Sequence, residues 1–336
     1  MRAVRRPATR RTAAIAAGLA LSTALAACGQ NAGGSSSGQY PSKTINFMVP
    51  AAAGGGWDST ARAMQQVIQK KNLANKPVEV FNVAGGGGAT GLAQLQKEKG
   101  DPHALMMTGL VMIGALTRAN SPVSLKNTTP IATLTAEAEA FVVPANSKYK
   151  TIQDVVNAYQ QDPSSVTFGG GSAGGSDHLV TGQLLKAAGA DPSKLKYVGY
   201  SGGGEATAGI LSGDVGVGVS GVSEFESQIE SGKMRLLAIS TATPQEVAGK
   251  PAPTLKDASY DVDFSNWRAV VAAPGLSDKD KQAVTDLVDK LHETQEWKDV
   301  LKTNGWDDFY KTGDEAQQYI EGETTRVEQL YKDLGL

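Results

Sequence analysis

Reactive side chains are scarce in this chain. It holds one cysteine, Cys28, so no internal disulfide can form. Its three histidines, His103, His178 and His292, lie far apart and make no ligand-spaced cluster, which leaves metal catalysis without a basis in the sequence. No glycine loop contains the Gly-Lys-Ser/Thr of a phosphate-cradling P-loop, so ATP hydrolysis is unsupported. Gly86-x-Gly88-x-x-Gly91 and Gly169-x-Gly171-x-x-Gly174 both fit a dinucleotide fingerprint, but the strands that follow, ALMMTG and LKYVGY, lack the terminal acid that would hold a ribose. With 39 glycines such matches arise by chance, and no cofactor is expected.

Acids are missing from the first twelve residues, which carry Arg2, Arg5, Arg6, Arg10 and Arg11. Residues 13 to 27 are small and apolar, and Leu25-Ala26-Ala27-Cys28 follows. This reads as a secretory signal over residues 1–27 ending in a lipobox, with Cys28 as the lipidated first residue of an exported lipoprotein. The apolar run is too short for a permanent span. Thr9-Arg10-Arg11 also allows twin-arginine export. Residues 28–39 form a Gly/Ser tether, pointing to an anchor on the outer face of the cell membrane or to a periplasmic location. Removing the five leader arginines takes the formal charge from −2 to −7, and an acidic body argues against nucleic acid.

Glycine is what the chain has in abundance, and its placement is regular. Four times a short apolar run breaks into glycines and then into a helical pattern: INFMVP into AAAGGGWDS, VEVFNV into AGGGGAT, SVTF into GGGSAGGS, and LKYVGY into SGGG. Glycine allows φ > 0 and close approach of a ligand, and a helix start leaves amide N–H groups unpaired. Such turns suit anions. The alternation of strand-like and helix-like segments predicts an α/β fold with mostly parallel strands. Ala61, Met64, Val67 and Ile68, then Leu179, Leu184, Leu185 and Ala188, recur at helical spacing as core faces. Near the C-terminus, Val284, Leu287, Val288 and Leu291 mark an amphipathic helix, and a charged helix is expected from Asp314 to Leu334. Crossovers near 143 and 241 divide the body into lobe 1 (40–143 plus 241–336) and lobe 2 (144–240), with two glycine turns in each.

Gly170-x-Ser172-x-Gly174 has the form of a nucleophile elbow, so a serine hydrolase built on Ser172 is the rival reading. Only His178 and His292 follow Ser172. The first is one turn away on the same helix and the second sits inside an amphipathic helix, a poor geometry for a triad.

The segments YPSKTINFMVPAAAGGGWDSTAR, FNVAGGGGATG, GGGSAGGSDHL, VGYSGGGEATAGILSGDV and APTLKDASYDVDFSNWRAVVAAP together resemble the substrate-binding proteins of tripartite tricarboxylate transporters, the TctC or Bug type. Gly54-Gly55-Gly56-Trp57-Asp58 resembles the tricarboxylate-binding branch in particular. The resemblance implies a two-lobed, type II periplasmic-binding-protein fold that holds a citrate-like or other organic carboxylate in the interlobe cleft. It also implies delivery to one large and one small membrane permease subunit, a monomer, and binding rather than catalysis. A signalling role, with the loaded protein docking to a sensor kinase, uses the same closed form.

The family's first loop falls on Gly55, Gly56, Trp57, Asp58 and Ser59, with Asp58 read either as part of the ligand loop or as a pure N-cap. Trp57 is expected to wall the cleft. The second loop supplies Gly86, Gly87, Gly88 and Thr90. The other lobe supplies Ser172, Ser176 and His178, then Tyr200, Ser201 and Gly203. Arg268 departs from the family pattern and reads as a surface ion pair or as a partner for a second ligand carboxylate.

Overall fold

A computed structural model describes residues 40–336. The leader, Cys28 and the rest of the tether lie outside the described residues.

The first stretch runs β1 (Ile45–Val49), α1 (Gly56–Lys70), β2 (Val78–Asn82), α2 (Ala89–Leu95), β3 (Ala104–Gly109) and α3 (Leu110–Arg118). A long strand, β4 (Thr129–Pro144), then leads through α4 (Ile152–Gln161) to β5 (Thr167–Gly170), α5 (Ser176–Ala187), β6 (Lys196–Gly199), α6 (Gly203–Ser212), β7 (Val217–Gly221) and α7 (Val222–Glu230). The chain closes with β8 (Met234–Ile239), the short β9 (Glu246–Val247) and β10 (Lys250–Pro251), β11 (Ser265–Ala272), α8 (Asp278–His292), α9 (Gln295–Asn304), β12 (Asp307–Thr312) and α10 (Gly313–Leu334).

Parallel pairing occupies the two ends of the sheet, whose path is β2-β1-β3-β11-β4-β7-β5-β6. The middle is antiparallel, because β11, β12, β7 and β8 all run against β4. Alternating β/α segments therefore give the expected parallel units, while long returns insert antiparallel strands that local pattern does not reveal. β4 joins both halves of the sheet: residues 129–138 pair with β11, and residues 139–144 pair with β7 and β8.

The helical spacings bury as expected except at Ala188, which caps α5 and is half-buried. Ala61, Met64, Val67 and Ile68 of α1 and Leu179, Leu184 and Leu185 of α5 are buried, as are Val284, Leu287, Val288 and Leu291 of α8. α10 begins at Gly313 and packs on α3, α5 and β4, with Trp267 Nε1 donating to Glu323 at 2.8 Å. Among the described residues no helix is long and apolar enough to cross a membrane.

Candidate functional site

All four glycine turns sit at the C-terminal ends of parallel strands, after β1, β2, β5 and β6, where an α/β sheet exposes its crevice. They meet in pairs. The first touches the fourth, with Ala52 N–H donating to Ser201 O at 3.1 Å. The second meets the third, where a Cβ on Gly87 would lie 3.6 Å from Ser172 Cβ. Gly85, Gly86, Gly87 and Gly88 all have positive φ, and a Cβ on Gly87 would collide with Ala115, so this turn depends on glycine for both conformation and space.

Two connected cavities lie between the turns. One, of about 280 Å³, is lined by Gly86, Gly87, Gly88, Ser172, Tyr200, Ser201 and Arg118. The other, a chamber of about 70 Å³, is lined by Gly55, Gly56, Trp57, Gly203 and again Ser172, Tyr200 and Ser201. A larger groove of about 470 Å³ between α3 and α10 carries none of the expected site residues.

Ten of the expected residues thus face one cleft, and five do not line it. Ser59 and Thr90 are exposed, and Ser176 is buried with its hydroxyl donating to Asp177 Oδ1 at 2.7 Å. Asp58 occupies the third position of α1, which starts at Gly56, and Ser59 follows it inside the helix. Its carboxylate accepts from Gly54 N–H at 3.2 Å, Arg62 Nε at 3.0 Å and Asn82 Nδ2 at 2.9 Å. Burial pushes its pKa up, but the bonds from Arg62, Asn82 and Gly54 outweigh that and hold it below the usual carboxylate range. The N-cap is Gly55 rather than Asp58, which from inside the first turn ties the preceding loop back onto the helix through Gly54.

His178 Nδ1 accepts from Gly174 N–H at 3.0 Å, and its ring stacks on Tyr197 at 4.4 Å. Burial, aided by the positive charge of Arg118, pushes its pKa down to about 4, so the ring is neutral at physiological pH. Among the described residues no histidine hydrogen-bonds Ser172, which leaves the elbow motif without a general base. Trp57 is buried rather than exposed, with its ring 3.5 Å from a Cβ built on Gly88, and it does form part of the chamber wall.

Arg268 is neither on the surface nor in a surface ion pair. Its side chain is 2% exposed, and Nη2 pairs with Glu137 Oε2 at 2.6 Å over the ring of Trp306. The register explains this. Arg268 on β11 lies opposite Thr135, and Asn266 lies opposite Glu137, so Thr135, Glu137, Asn266 and Arg268 share one face of the sheet. Gly56 has no side chain because the Arg268 guanidinium occupies that space. Arg268 and Asn266 both line the chamber.

The residues that sequence reasoning missed are charged. Asp177 and Glu224 line the chamber, and Arg118 lines the larger cavity. Gly56 N–H donates to Glu224 Oε1 at 2.9 Å, and Gly171 N–H donates to Asp177 Oδ2 at 2.7 Å. Ser201 N–H likewise donates to Glu205 at 3.1 Å. Three of the four turns therefore already present an amide to a carboxylate of the chain itself, or four amides counting Gly54 with Asp58. The exception is Gly85–Gly88, where no side chain of the described residues accepts from Gly86 or Gly87. Burial, with the charges of Asp177 and Glu137, pushes the Glu224 carboxyl up to about 7, and burial also raises Asp177 and the fully buried Glu139. For the acids of β4 the available signal was the alternation in TAEAE, which puts Thr135, Glu137 and Glu139 on one face of a buried strand.

Two βαβαβα units joined through a shared sheet, with facing glycine turns around a cleft, define a solute-binding protein of the periplasmic type. Residues 60–336 match the family model described as "Tripartite tricarboxylate transporter family receptor", TctC. The chain belongs to this family. It is 23% identical over 301 residues to protein BugT of Bordetella pertussis, covering 88% of this chain and 90% of that one. Among solved structures it resembles R. palustris Rpa4515 with adipate (TM-score 0.79, 20% identity, 88% of this chain and 99% of that chain). It also resembles MatC from Rhodopseudomonas palustris with bound malate (TM-score 0.75, 19% identity, 87% and 99%). At these identities the structural likeness establishes the periplasmic-binding-protein fold.

Proposed function

We propose that this chain is an extracytoplasmic receptor that captures a small organic carboxylate in the cleft and hands it to the membrane subunits of a tripartite tricarboxylate transporter. The observation that carries the reading is the pairing of the one unencumbered turn, Gly85–Gly88, with Arg118 in the 280 Å³ cavity. Arg118 ends α3 and has no carboxylate within 4.0 Å among the described residues, so its charge is available to a ligand. A guanidinium, two main-chain amides and the hydroxyls of Ser172 and Ser201, which can each turn an O–H towards a ligand, make a donor-rich set of the kind a carboxylate requires.

In this reading the lobes are residues 40–143 with 241–336, and residues 144–240. They rotate against each other, and closure on the ligand removes water from the bonds that hold it. Ala52–Ser201 and Gly56–Glu224 are the contacts that opening would break. The lipidated Cys28 and its tether would keep the receptor at the membrane beside one large and one small permease subunit. Adipate and malate, named for two structural neighbours, set dicarboxylates beside citrate-like tricarboxylates as the first compounds to try.

Calorimetric titration with citrate, malate, succinate and adipate, each beside its uncharged amide, tests the reading. At least one acid is expected to bind a hundredfold or more tighter than its amide. Equal affinity for every acid and its amide would remove the carboxylate site.

A further inference from the structure

The cleft is electrically polarised. At one end the larger cavity holds the unpaired Arg118 and the Gly85–Gly88 turn. At the other, the chamber is walled by Asp177, Glu224 and Asn266, and the one cation lining it, Arg268, pairs through Nη2 with Glu137 while its Nη1 has no partner among the described residues. The two ends are continuous through Ala51, Ser172, Tyr200 and Ser201, which line both.

We propose that the ligand is a zwitterion, whose carboxylate lies at Arg118 and Gly85–Gly88 and whose positively charged amine enters the acidic chamber between Asp177, Glu224 and Asn266. The inference rests on the carboxylate reading above and adds the chemistry of the second end.

Four observations support it. Asn266 is only 7% exposed, yet its Oδ1 has no hydrogen-bond partner. Glu224 uses Oε1 for Gly56 N–H, and among the described residues nothing donates to Oε2, which lies against Gly203. Glu139, on the same face of β4 as Glu137, is fully buried with no hydrogen-bond partner on either carboxyl oxygen among the described residues. Against these acceptors stands one unpartnered donor, Arg268 Nη1, so acceptors outnumber donors around the chamber, an imbalance that a second ligand carboxylate would worsen and an ammonium group would relieve. Finally, a volume of about 70 Å³ admits a group of ammonium size, since one water takes about 30 Å³ in the liquid. Among the described residues no cluster of three or more metal-ligating side chains offers a metal instead.

The test is calorimetry on the purified protein with pairs of compounds sharing a carbon skeleton: propionate and alanine, succinate and aspartate, glutarate and glutamate, adipate and 2-aminoadipate. In at least one pair the amine-bearing member should bind tenfold or more tighter. Glu224→Gln should cut that preference at least fivefold, whatever it does to overall affinity through the Gly56 contact, whereas Arg118→Gln should weaken both members alike. If Glu224→Gln fails to fold, Asn266→Ala and the wild-type preference decide the matter. Amine-free acids binding as tightly as their partners, or no amine-bearing acid binding at all, would overturn the zwitterion inference. The carboxylate reading would survive the first of these results. It would fail if alaninamide or putrescine, which have an amine and no carboxylate, bound as tightly as any acid.

Discussion

The two parallel units of this protein have the same plan and opposite charge. In the unit from β1 to α3 and in the unit from β5 to α7, the first strand lies in the middle, glycine turns follow the first and second strands, and a helix starts directly after the third. In the first unit the one acid beside a turn, Asp58, is neutralised by Arg62, and the unit ends on the unpaired Arg118. In the second, Asp177, Glu205 and Glu224 each accept from a turn amide with no basic partner within 4.0 Å among the described residues. The fold thus supplies amides symmetrically, and side chains decide which of them a ligand can reach. A turn rich in glycine is not in itself a free anion site.

The strongest challenge to this asymmetry is Gly87→Val. Positive φ and the clash with Ala115 should cost about 2–4 kcal/mol, lowering the melting temperature by several degrees, and binding of any carboxylate should be lost. Retained binding in calorimetry would show that the Gly85–Gly88 turn is only structural. Arg118→Gln should leave the melting temperature within about a degree, because the side chain is exposed and unpaired, while weakening carboxylate binding about tenfold or more, as expected for a charge-assisted bond of about 1.5–3 kcal/mol.

Asp58→Asn separates anchoring of the loop from binding. It removes the charge that Arg62, Asn82 and Gly54 hold, and should destabilise by about 1–3 kcal/mol while changing affinity less than threefold. Because the folded state lowers the pKa of Asp58, its contribution is present above the ordinary carboxylate pKa and disappears as pH falls through the folded value. Acid melting curves of the variant should be flatter.

Glu224 has the opposite sign. Its carboxyl is raised to about 7, so the folded state binds the proton more tightly than the unfolded chain, and stability falls as pH rises from about 4.5 through about 7. Glu224→Gln should reduce this decline and raise the melting temperature at pH 8 by a few degrees. An unchanged pH profile would mean that Glu224 does not sit strained in the chamber.

Much of the fold was legible because its rules are local. Apolar spacing placed the buried faces of α1, α5 and α8, and the glycine runs marked the ends of β1, β2, β5 and β6. The antiparallel centre was not legible, since β11 and β12 reach β4 only after long returns that leave no short-range pattern. The cleft shows the same division. The glycines, Ser172, Tyr200 and Ser201 could be picked out from their turns. Asp177 and Glu224 read only as acids in the first turn of a helix, where the dipole accounts for them, and Arg118 reads only as a base in the last turn.

The sequence by itself determined the α/β architecture, the family and the places where main-chain amides gather, because backbone conformation is dictated by neighbours a few positions apart. Tertiary structure alone decided which amides stay open and where unbalanced charge collects. Gly56 and Glu224 are separated by 168 positions, and Arg268 meets Glu137 only where β11 lies against β4. Electrostatic pairing acts through space, so the polarity of the cleft exists only once the chain has folded back across its own sheet.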